Sequence, residues 1–393
     1  RVALSEATIA HLQQPGGWKS AQEEPYTHKP LAQWDEADRM SLTPALFELP
    51  GGEWMLVSES NLRDYAGMYL KGNGSGFSSV FPRMPLKFGD DGDRSVTIDQ
   101  EAPYLARTSG ERTFPWRYMA FGSGADIASQ TLTAQLSDPC EIEDTSWIRP
   151  GKAAWEWWNG ASVYGDDVDF ESGFNLETYK YFIDFAARHG IEYIVLDEGW
   201  ANSTMDPFTP NPRVDVMELI RYGKQRNVGL ILWMTWLNVE KHFDLFPTLE
   251  KWGIKGLKID FMDRTDQWMN CYLERVAKAA AAHHLLVDFH GAHKPSGLDV
   301  RYPNVISYEG VRGMEQMGHT CPDNSLWLPF MRNAVGPMDY TPGAMISMQP
   351  EYYGCDRPNS ASIGTRAYQM ALFTTFESGL QMTADSPTMY YRN

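Results

Sequence analysis

The feature that most limits the fold of this chain is a unit that recurs after residue 150. Short apolar runs that end in polar or aromatic residues alternate there with stretches of helical spacing. The runs cover residues 153–159, 193–198, 230–236, 257–260, 286–290 and 305–309, and weaker ones follow at 345–348 and 380–383. Eight strands with mostly helical connections over roughly 240 residues predict a (β/α)8 barrel.

The stretches between the runs support this prediction. Residues 177–188, 214–225 and 266–283 carry apolar side chains at helical spacing. An open, doubly wound sheet is the structural alternative, and it usually has a Gly-x-Gly-x-x-Gly turn after an early strand. No such turn follows an early strand here, so the barrel is favoured.

The first 148 residues have a different pattern of apolar and turn-forming residues. Short alternating runs at 53–58 and 95–98 are separated by turn-forming clusters at 71–74 and 89–92. That pattern is typical of antiparallel β structure and predicts a β-sandwich or part of one. We therefore divide the chain into a β region, residues 1–148, and a barrel, residues 149–393.

Charge and composition narrow the classes of function. The net charge of −17 argues against nucleic acid or an anionic membrane as partner, because both require basic patches. No apolar run reaches 18 residues, so no membrane span is expected. Cys140, Cys271, Cys321 and Cys355 lie far apart without a Cys-x-x-Cys pair, which indicates neither a zinc site nor a disulfide framework.

Polar residues gather where the predicted barrel strands end. The catalytic groups of such barrels lie at the carboxyl ends of the strands. The residues found there are Trp158, Asn159, Asp197, Glu198, Trp236, Asp260, His290 and Glu309, with Glu315 just beyond. Each of them alone could cap a helix, pair with a charge or fill the core, as Asp260 could with Lys258. Together, carboxylates, a histidine and tryptophans indicate a site that cleaves sugars.

Five stretches give the chain a resemblance to a known family. They are residues 58–65, 154–159, 258–264, 308–315 and 377–387, and the Glu-Gly-x-Arg-Gly-x-Glu pattern of 309–315 is the most specific. On these residues the chain resembles glycoside hydrolase family 97, which contains α-glucosidases and α-galactosidases. The resemblance implies an N-terminal β-supersandwich, a catalytic barrel and a small C-terminal β domain. We expect this chain to hold part of the first and to lack the third.

The resemblance also implies a mechanism. In the retaining branch of the family, an Asp at the end of the fourth barrel strand is the nucleophile, and Asp260 stands at that position. Glu315 matches the general acid/base. The inverting branch has a Glu base directly after the histidine of the fifth strand, whereas Gly291 follows His290 here. Both features favour retention.

The remaining expectations concern calcium, substrate and cellular location. By resemblance, Glu59, Glu309 and Glu315 are expected ligands of a Ca2+ ion. The candidate substrate-binding residues are Lys258, Asp197, Glu198, Trp236, His290 and Arg312. The resemblance implies a periplasmic or secreted enzyme that acts on an oligosaccharide or α-galactoside.

The function expected from these features is that of a retaining, exo-acting α-galactosidase. An inverting α-glucosidase and a catalytically silent sugar-binding fragment stay open as alternatives. The sequence leaves open whether the sugar is galactose, glucose or β-L-arabinopyranose, and it leaves the oligomeric state open.

Overall fold

The computed structural model describes residues 2–5, 7–320 and 322–393, and no side chain is described at 317–319. Cys321 lies outside the described residues. The β region contains strands β1 Val2–Ala3, β2 Ile9–Gln13, β3 Tyr26–Pro30, β4 Ala45–Glu48, β5 Trp54–Ser60, β6 Tyr69–Gly72, β7 Gly76–Val80, β8 Pro85–Asp91, β9 Ser95–Glu101 and β10 Trp116–Gly122, then helices α1 Gly124–Ser129 and α2 Leu132–Gln135.

The strands of the β region are paired antiparallel, as predicted. One sheet has the order β10-β5-β4-β2-β3, a second has the order β1-β7-β6, and β8 and β9 form a separate hairpin. Buried side chains such as Leu12, Trp34 and Phe47 form the core of this region. Antiparallel sheets that bury one such face are typical of a β-sandwich.

The remainder of the chain alternates strands with helices. Its strands are β11 Gly151–Trp155, β12 Tyr193–Leu196, β13 Ala201–Ser203, β14 Asp206–Pro210, β15 Gly229–Thr235, β16 Gly256–Asp260, β17 Leu286–Phe289, β18 Val305–Tyr308, β19 Ser347–Met348, β20 Ser362–Ile363 and β21 Leu380–Thr383. Its helices are α3 Leu176–His189, α4 Val216–Lys224, α5 Trp236–Lys241, α6 Phe246–Trp252, α7 Gln267–Ala282, α8 Leu298–Arg301, α9 Pro322–Ser325, α10 Arg366–Thr375 and α11 Pro387–Arg392.

A parallel sheet of seven strands forms the barrel, in the order β18-β17-β16-β15-β12-β11-β21. Both faces of its strands are apolar because helices cover the outside. In β12, Ile194 packs outward in the same cluster as Phe182 of α3, while Val195 packs inward with Trp155. This two-sided burial explains why the strands are continuous apolar runs in the sequence.

The eighth strand position is irregular and closes the ring. There, Asp339 N donates to Tyr308 O at 2.7 Å, and Ala384 N donates to Pro342 O at 3.0 Å. Pro337 and Pro342 flank this segment and have no N–H to give to a strand ladder. The expectation of a barrel strand at 345–348 is wrong, because β19 pairs with β20 outside the barrel, whereas the one at 380–383 is confirmed.

The β region reaches across the open end of the barrel. Ser20 N donates to Asp263 O at 2.8 Å, and Lys294 N donates to Gln22 Oε1 at 2.9 Å. The loop that precedes β3 is thereby fixed to the segments after β16 and β17. Within the described part of the chain, every helix is too short or too polar to cross a lipid bilayer.

Candidate active site

Strand register brings the polar residues of β16 to the inside of the barrel. Lys258 is in register with Trp233 of β15, and Asp260 is in register with Thr235. Side chains two residues apart on a strand share a face. The neighbouring residues Leu257 and Ile259 belong to the outer cluster beneath the helices. Lys258 and Asp260 therefore point into the barrel together.

Asp260 is held through both of its carboxylate oxygens. Phe261 N donates to Oδ1 at 2.6 Å, Trp233 Nε1 donates to Oδ2 at 2.9 Å, and His290 Nδ1 lies 3.6 Å from Oδ2. Burial alone would raise the pKa of Asp260, but His290 first and Lys258 second hold that pKa at about 2. Asp260 is therefore ionised at neutral pH, and His290 contributes more to this than Lys258.

Glu315 lies on the other side of the same imidazole ring. Its Oε1 is 3.2 Å from His290 Nε2 and 3.0 Å from Lys258 Nζ. The Glu315 side chain is 17% exposed, compared with 13% for Asp260. The two predicted catalytic carboxylates thus contact the two nitrogens of one histidine, and both reach solvent.

Lys258 joins Glu315 to a second carboxylate. Its ammonium lies 3.2 Å from Asp197 Oδ2 and 4.4 Å from the centre of the Trp155 ring, whose Nε1 donates to Asp197 Oδ2 at 2.8 Å. Burial would lower the pKa of Lys258, but Asp197 and Glu315 raise it well above the usual value. The buried ammonium therefore stays charged.

His290 is surrounded by acidic groups. Besides Asp260 and Glu315, Glu309 Oε2 lies 3.2 Å from Nδ1 and Asp339 Oδ2 lies 3.5 Å from Nε2. Burial would lower the pKa of His290, yet the surrounding carboxylates, led by Glu309, raise it well above the ordinary value. A protonated ring balances part of the negative charge of the cluster.

The β region adds a carboxylate that sequence reasoning missed. Glu23 makes a side-chain hydrogen bond with Glu309, and burial raises the pKa of both carboxyls. Gln316 Nε2 donates to Glu23 Oε2 at 2.6 Å, and Arg312 Nη1 donates to Glu23 O at 3.0 Å. Glu23 lies on a loop of the other domain, so a search of strand ends could not find it. Arg312 reaches the site through the backbone of this loop.

Glu59 does not lie where the resemblance implied. Its Oε1 accepts from Met68 N at 2.8 Å and lies 3.5 Å from Lys294 Nζ, and its Oε2 lies 3.4 Å from Arg117. No contact among the described residues joins Glu59 to Glu309 or Glu315. The carboxylate that the β region brings to this cluster is that of Glu23.

Trp236 also departs from the predicted set. Trp236 begins α5 and packs on Trp268 and Tyr272 of α7. Trp236 lies outside the site because the odd-numbered residues of β15 point into the barrel. Trp233 is therefore the tryptophan that reaches Asp260. Alternate residues of a strand share a face, so the alternation that starts at Ile231 would have identified Trp233.

Glu198 is at the rim of the site. Its Oε1 is 2.7 Å from Arg94 Nη2, and the Arg94 guanidinium lies 5.2 Å from the centre of the Phe261 ring. The turn between β8 and β9 therefore contributes to the border of the site. Glu198 remains accessible to a ligand, since its side chain is 37% exposed.

The donor set of the cluster suits a hard cation. One ligand atom each from His290, Glu309 and Glu315 lie within 4.8 Å of one another, and Glu23 contacts Glu309. Calcium prefers several oxygen ligands and accepts irregular geometry. Three carboxylates that converge in a buried place fit such an ion.

A parallel barrel with paired carboxylates at its mouth is the architecture of a glycoside hydrolase. The sequence model of Glycoside hydrolase 97 matches residues 157–311, and that of the Glycosyl-hydrolase 97 N-terminal domain matches residues 2–139. The chain belongs to glycoside hydrolase family 97.

Two curated relatives of this chain are both named as retaining alpha-galactosidases, one of them as probable. The retaining alpha-galactosidase of Bacteroides thetaiotaomicron is 37% identical over 384 residues, which are 94% of this chain and 57% of that protein. A probable retaining alpha-galactosidase of Streptomyces bingchenggensis is 36% identical over 290 residues, 72% of this chain and 43% of that protein. The chain thus spans about half the length of these relatives.

Solved structures show the same fold. A family 97 enzyme from Pseudoalteromonas sp. strain K8, in complex with acarbose, superposes with a TM-score of 0.79 at 25% identity, over 99% of this chain and 61% of that one. A beta-arabinopyranosidase gives a TM-score of 0.71 at 23% identity, over 98% and 62% of the two chains. The predicted combination of a β-sandwich region and a barrel is confirmed.

Proposed function

We propose that this chain is the catalytic part of a retaining, exo-acting α-galactosidase. The observation that carries the proposal is the placement of Asp260 and Glu315 on the two nitrogens of His290. Retention requires one carboxylate that attacks the anomeric carbon and one carboxyl group that gives a proton to the leaving oxygen on that carbon. The names of the two curated relatives support α-galactoside as the substrate class.

The reaction proceeds in two displacements. A carboxylate oxygen of Asp260 bonds to the anomeric carbon while the bond from that carbon to the leaving oxygen breaks. The Glu315 carboxyl gives its proton to the leaving oxygen. Glu315 then takes a proton from water, whose oxygen bonds to the anomeric carbon and releases Asp260. Two inversions restore the original configuration.

Other polar side chains at the mouth of the barrel would orient the sugar. Lys258 and Asp197 form an ion pair that links the catalytic carboxylates to the end of β12. Glu198 is accessible at the rim of the site. Hydroxyl groups of a sugar can donate to the carboxylates and accept from the ammonium. We assign these three residues to substrate binding within the proposal.

Calcium belongs to the proposal as well. Glu23, Glu309 and Glu315 would hold the ion, with Glu23 in place of Glu59. When bound, the ion supplies positive charge that offsets the carboxylate cluster and can polarise a sugar hydroxyl. The expected periplasmic or secreted location remains part of the proposal, and it rests on the family resemblance.

The test uses the whole chain and an aryl α-galactoside. Asp260→Ala should lower kcat by at least about 10⁴-fold, as loss of a nucleophile does in other covalent enzymes. Added azide should restore turnover and yield the β-galactosyl azide. Asp91→Ala, at an exposed ion pair with Lys19, is the matched control and should keep full activity.

The same assay, run with aryl α-galactoside and aryl α-glucoside, separates the alternatives. A retaining enzyme releases α-galactose first, which NMR of the early product detects, whereas an inverting one releases the β anomer. Binding of galactose without turnover by the unsubstituted chain would identify a silent binding fragment. Full activity in Asp260→Ala would refute the assignment of the nucleophile.

A further inference from the structure

The backbone around Asp260 has an unusual conformation. Phe261 has a φ of +68° and Asp263 a φ of +50°. A positive φ is a genuine outlier for a bulky residue such as Phe. Such conformations persist only where the surrounding structure enforces them, and they concentrate at functional sites. The conformation of Phe261 therefore needs a specific explanation.

The contacts of Phe261 supply that explanation. The turn directs Phe261 N toward the side chain of the preceding residue, where it donates to Asp260 Oδ1 at 2.6 Å. The Phe261 ring packs edge-on against Trp233 at 6.2 Å between ring centres and lies beneath Arg94. Trp233 also donates to Asp260 Oδ2. The turn and the ring that packs on it thus hold both oxygens of the carboxylate.

Gly291 faces this arrangement from the neighbouring strand. A Cβ built on Gly291 would lie 2.7 Å from Asp260 Oδ1, 2.6 Å from Phe261 N and 2.9 Å from Phe261 Cα. Gly291 itself has a φ of +53°, which glycine adopts without steric cost. Even a methyl group at this position would overlap the carboxylate and the amide that holds it.

Backbone hydrogen bonds hold Gly291 against the turn. Asp263 N donates to Gly291 O at 2.7 Å, and His290 N donates to Ile259 O at 2.7 Å. These two bonds link both sides of Asp260 to the 290–291 segment. The overlap could therefore not be relieved by moving one segment away without breaking them.

We propose that Gly291 is a positioning residue for Asp260: its missing side chain leaves the space in which the left-handed Phe261 turn can hold the carboxylate in its attacking orientation. The inference rests on the proposed function, because it assigns a role relative to the nucleophile. It adds that Gly291, which has no side chain with which to contact a substrate, controls the rate of attack through the position of Asp260.

The first test is Gly291→Ala, assayed with an aryl α-galactoside at saturating calcium. A displacement of the nucleophile by about 1 Å can lower the rate about 10²-fold. We expect kcat to fall by about that factor while KM changes less than about threefold, because the sugar-binding groups stay in place. The concentration of calcium that gives half-maximal activity should not change.

The control is Gly190→Ala at the end of α3. Gly190 has a similar φ of +62°, and a Cβ there would meet nothing within 4 Å. This variant carries the conformational strain of Ala without the overlap, and its kcat should equal that of the unsubstituted chain. A comparable loss of kcat in Gly190→Ala would attribute the effect to strain and overturn the proposal.

The second test is a double-mutant cycle. In Asp260→Ala the carboxylate is gone, so any shift of the Phe261 turn that a methyl group at 291 causes displaces no nucleophile. The azide-rescued rate of the Asp260→Ala/Gly291→Ala variant should therefore lie within about threefold of that of Asp260→Ala. A further loss of about 10²-fold would show that Gly291 supports the fold generally and not Asp260.

The cycle also decides the case in which Gly291→Ala does not fold. The double variant loses one of the three close contacts with the carboxylate, so Gly291→Ala should lower the melting temperature less in the Asp260→Ala background than in the unsubstituted chain. An equal loss in both backgrounds overturns the proposal. Full kcat in Gly291→Ala overturns it as well. Failure of the proposed function looks different, because the unsubstituted chain would then be inactive or Asp260→Ala would give no β-galactosyl azide.

Discussion

At the scale of single residues, His290 is the group on which the charges of the site depend. Its ring contacts four carboxylates, those of Asp260, Glu309, Glu315 and Asp339. A neutral residue in its place would leave the ionised members of this group close together in a buried space, where like charges repel strongly. The imidazolium therefore stabilises the ionised nucleophile and connects it to the acid/base residue.

This arrangement predicts how activity depends on pH. Asp260 must be ionised to attack, and its depressed pKa of about 2 keeps it ionised at all higher pH values. In His290→Gln the loss of the positive charge should raise the pKa of Asp260 by about 1–2 units. The acidic limb of the profile of kcat/KM against pH should then move to higher pH by that amount. An unmoved limb would show that His290 does not set the ionisation of Asp260.

A second prediction at this scale concerns Trp233. Trp233→Phe removes the donor to Asp260 Oδ2, and a hydrogen bond to a charged group contributes about 1.5–3 kcal/mol. We expect kcat/KM to fall roughly 10- to 100-fold. Trp236→Phe is the matched control, because Trp236 Nε1 has no hydrogen-bond partner among the described residues. Equal effects of the two substitutions would contradict the placement of Trp233.

At the scale of elements, the regular strands could be predicted and their irregular connections could not. The strands β12 and β15 to β18 are apolar runs whose position follows from burial on two faces. The closure by 338–342 depends on isolated hydrogen bonds, which leave no periodic pattern in a sequence. The same reason hid Asp339, which reaches His290 from this segment.

Arg332 supports the irregular part of the barrel. Its guanidinium is fully buried and donates to the backbone oxygens of Tyr308, Glu309, Gly310, Gly336 and Pro337. Burial lowers its pKa only to about 10, so the side chain stays charged at neutral pH. Arg332 thereby fixes the end of β18, which carries Glu309, to the segment that closes the ring.

Substitution of Arg332 should therefore destabilise the fold. Arg332→Met leaves several buried carbonyl groups without a donor, and each such group costs about 1–3 kcal/mol. We expect the free energy of unfolding to fall by about 3 kcal/mol or more, measured by thermal or denaturant unfolding. Arg221→Met is the control, since Arg221 is 62% exposed and, among the residues that the structure describes, pairs only with Glu218 on its own helix. Equal melting temperatures for the two variants would refute this role.

At the scale of the whole molecule, the site is shared between the two regions of the chain. The β region contributes Glu23 to the carboxylate cluster and Arg94 to the rim. Asp260 and Glu315 could be identified from the sequence because each follows a recognisable strand or motif. Glu23 could not, because the pairing of a loop with a distant cluster depends on the packing of two domains.

The calcium proposal can be tested by comparing Glu23 with Glu59. The resemblance implies that Glu59 binds the ion, whereas the structure pairs Glu59 with Lys294 and Arg117 and brings Glu23 to Glu309. Glu23→Gln should weaken calcium binding at least about 10-fold, the loss caused even by groups that only support a ligand. Glu59→Gln should leave the affinity unchanged but lower the melting temperature, because a buried ion pair loses one partner.

Calcium titrations followed by calorimetry and by melting temperature measure both effects. An ion that binds only the folded state stabilises it by RT ln(1 + c/Kd) at a free ion concentration c, so the rise in melting temperature is larger for tighter binding. That rise should be smaller in Glu23→Gln at the same calcium concentration, by up to about 1.4 kcal/mol of stabilisation for a 10-fold loss of affinity. It should keep its full size in Glu59→Gln, from a lower starting melting temperature. The opposite result for the two variants would identify Glu59, and not Glu23, as a calcium ligand. It would also mean that the loop of Glu23 closes the site without contributing to its charge.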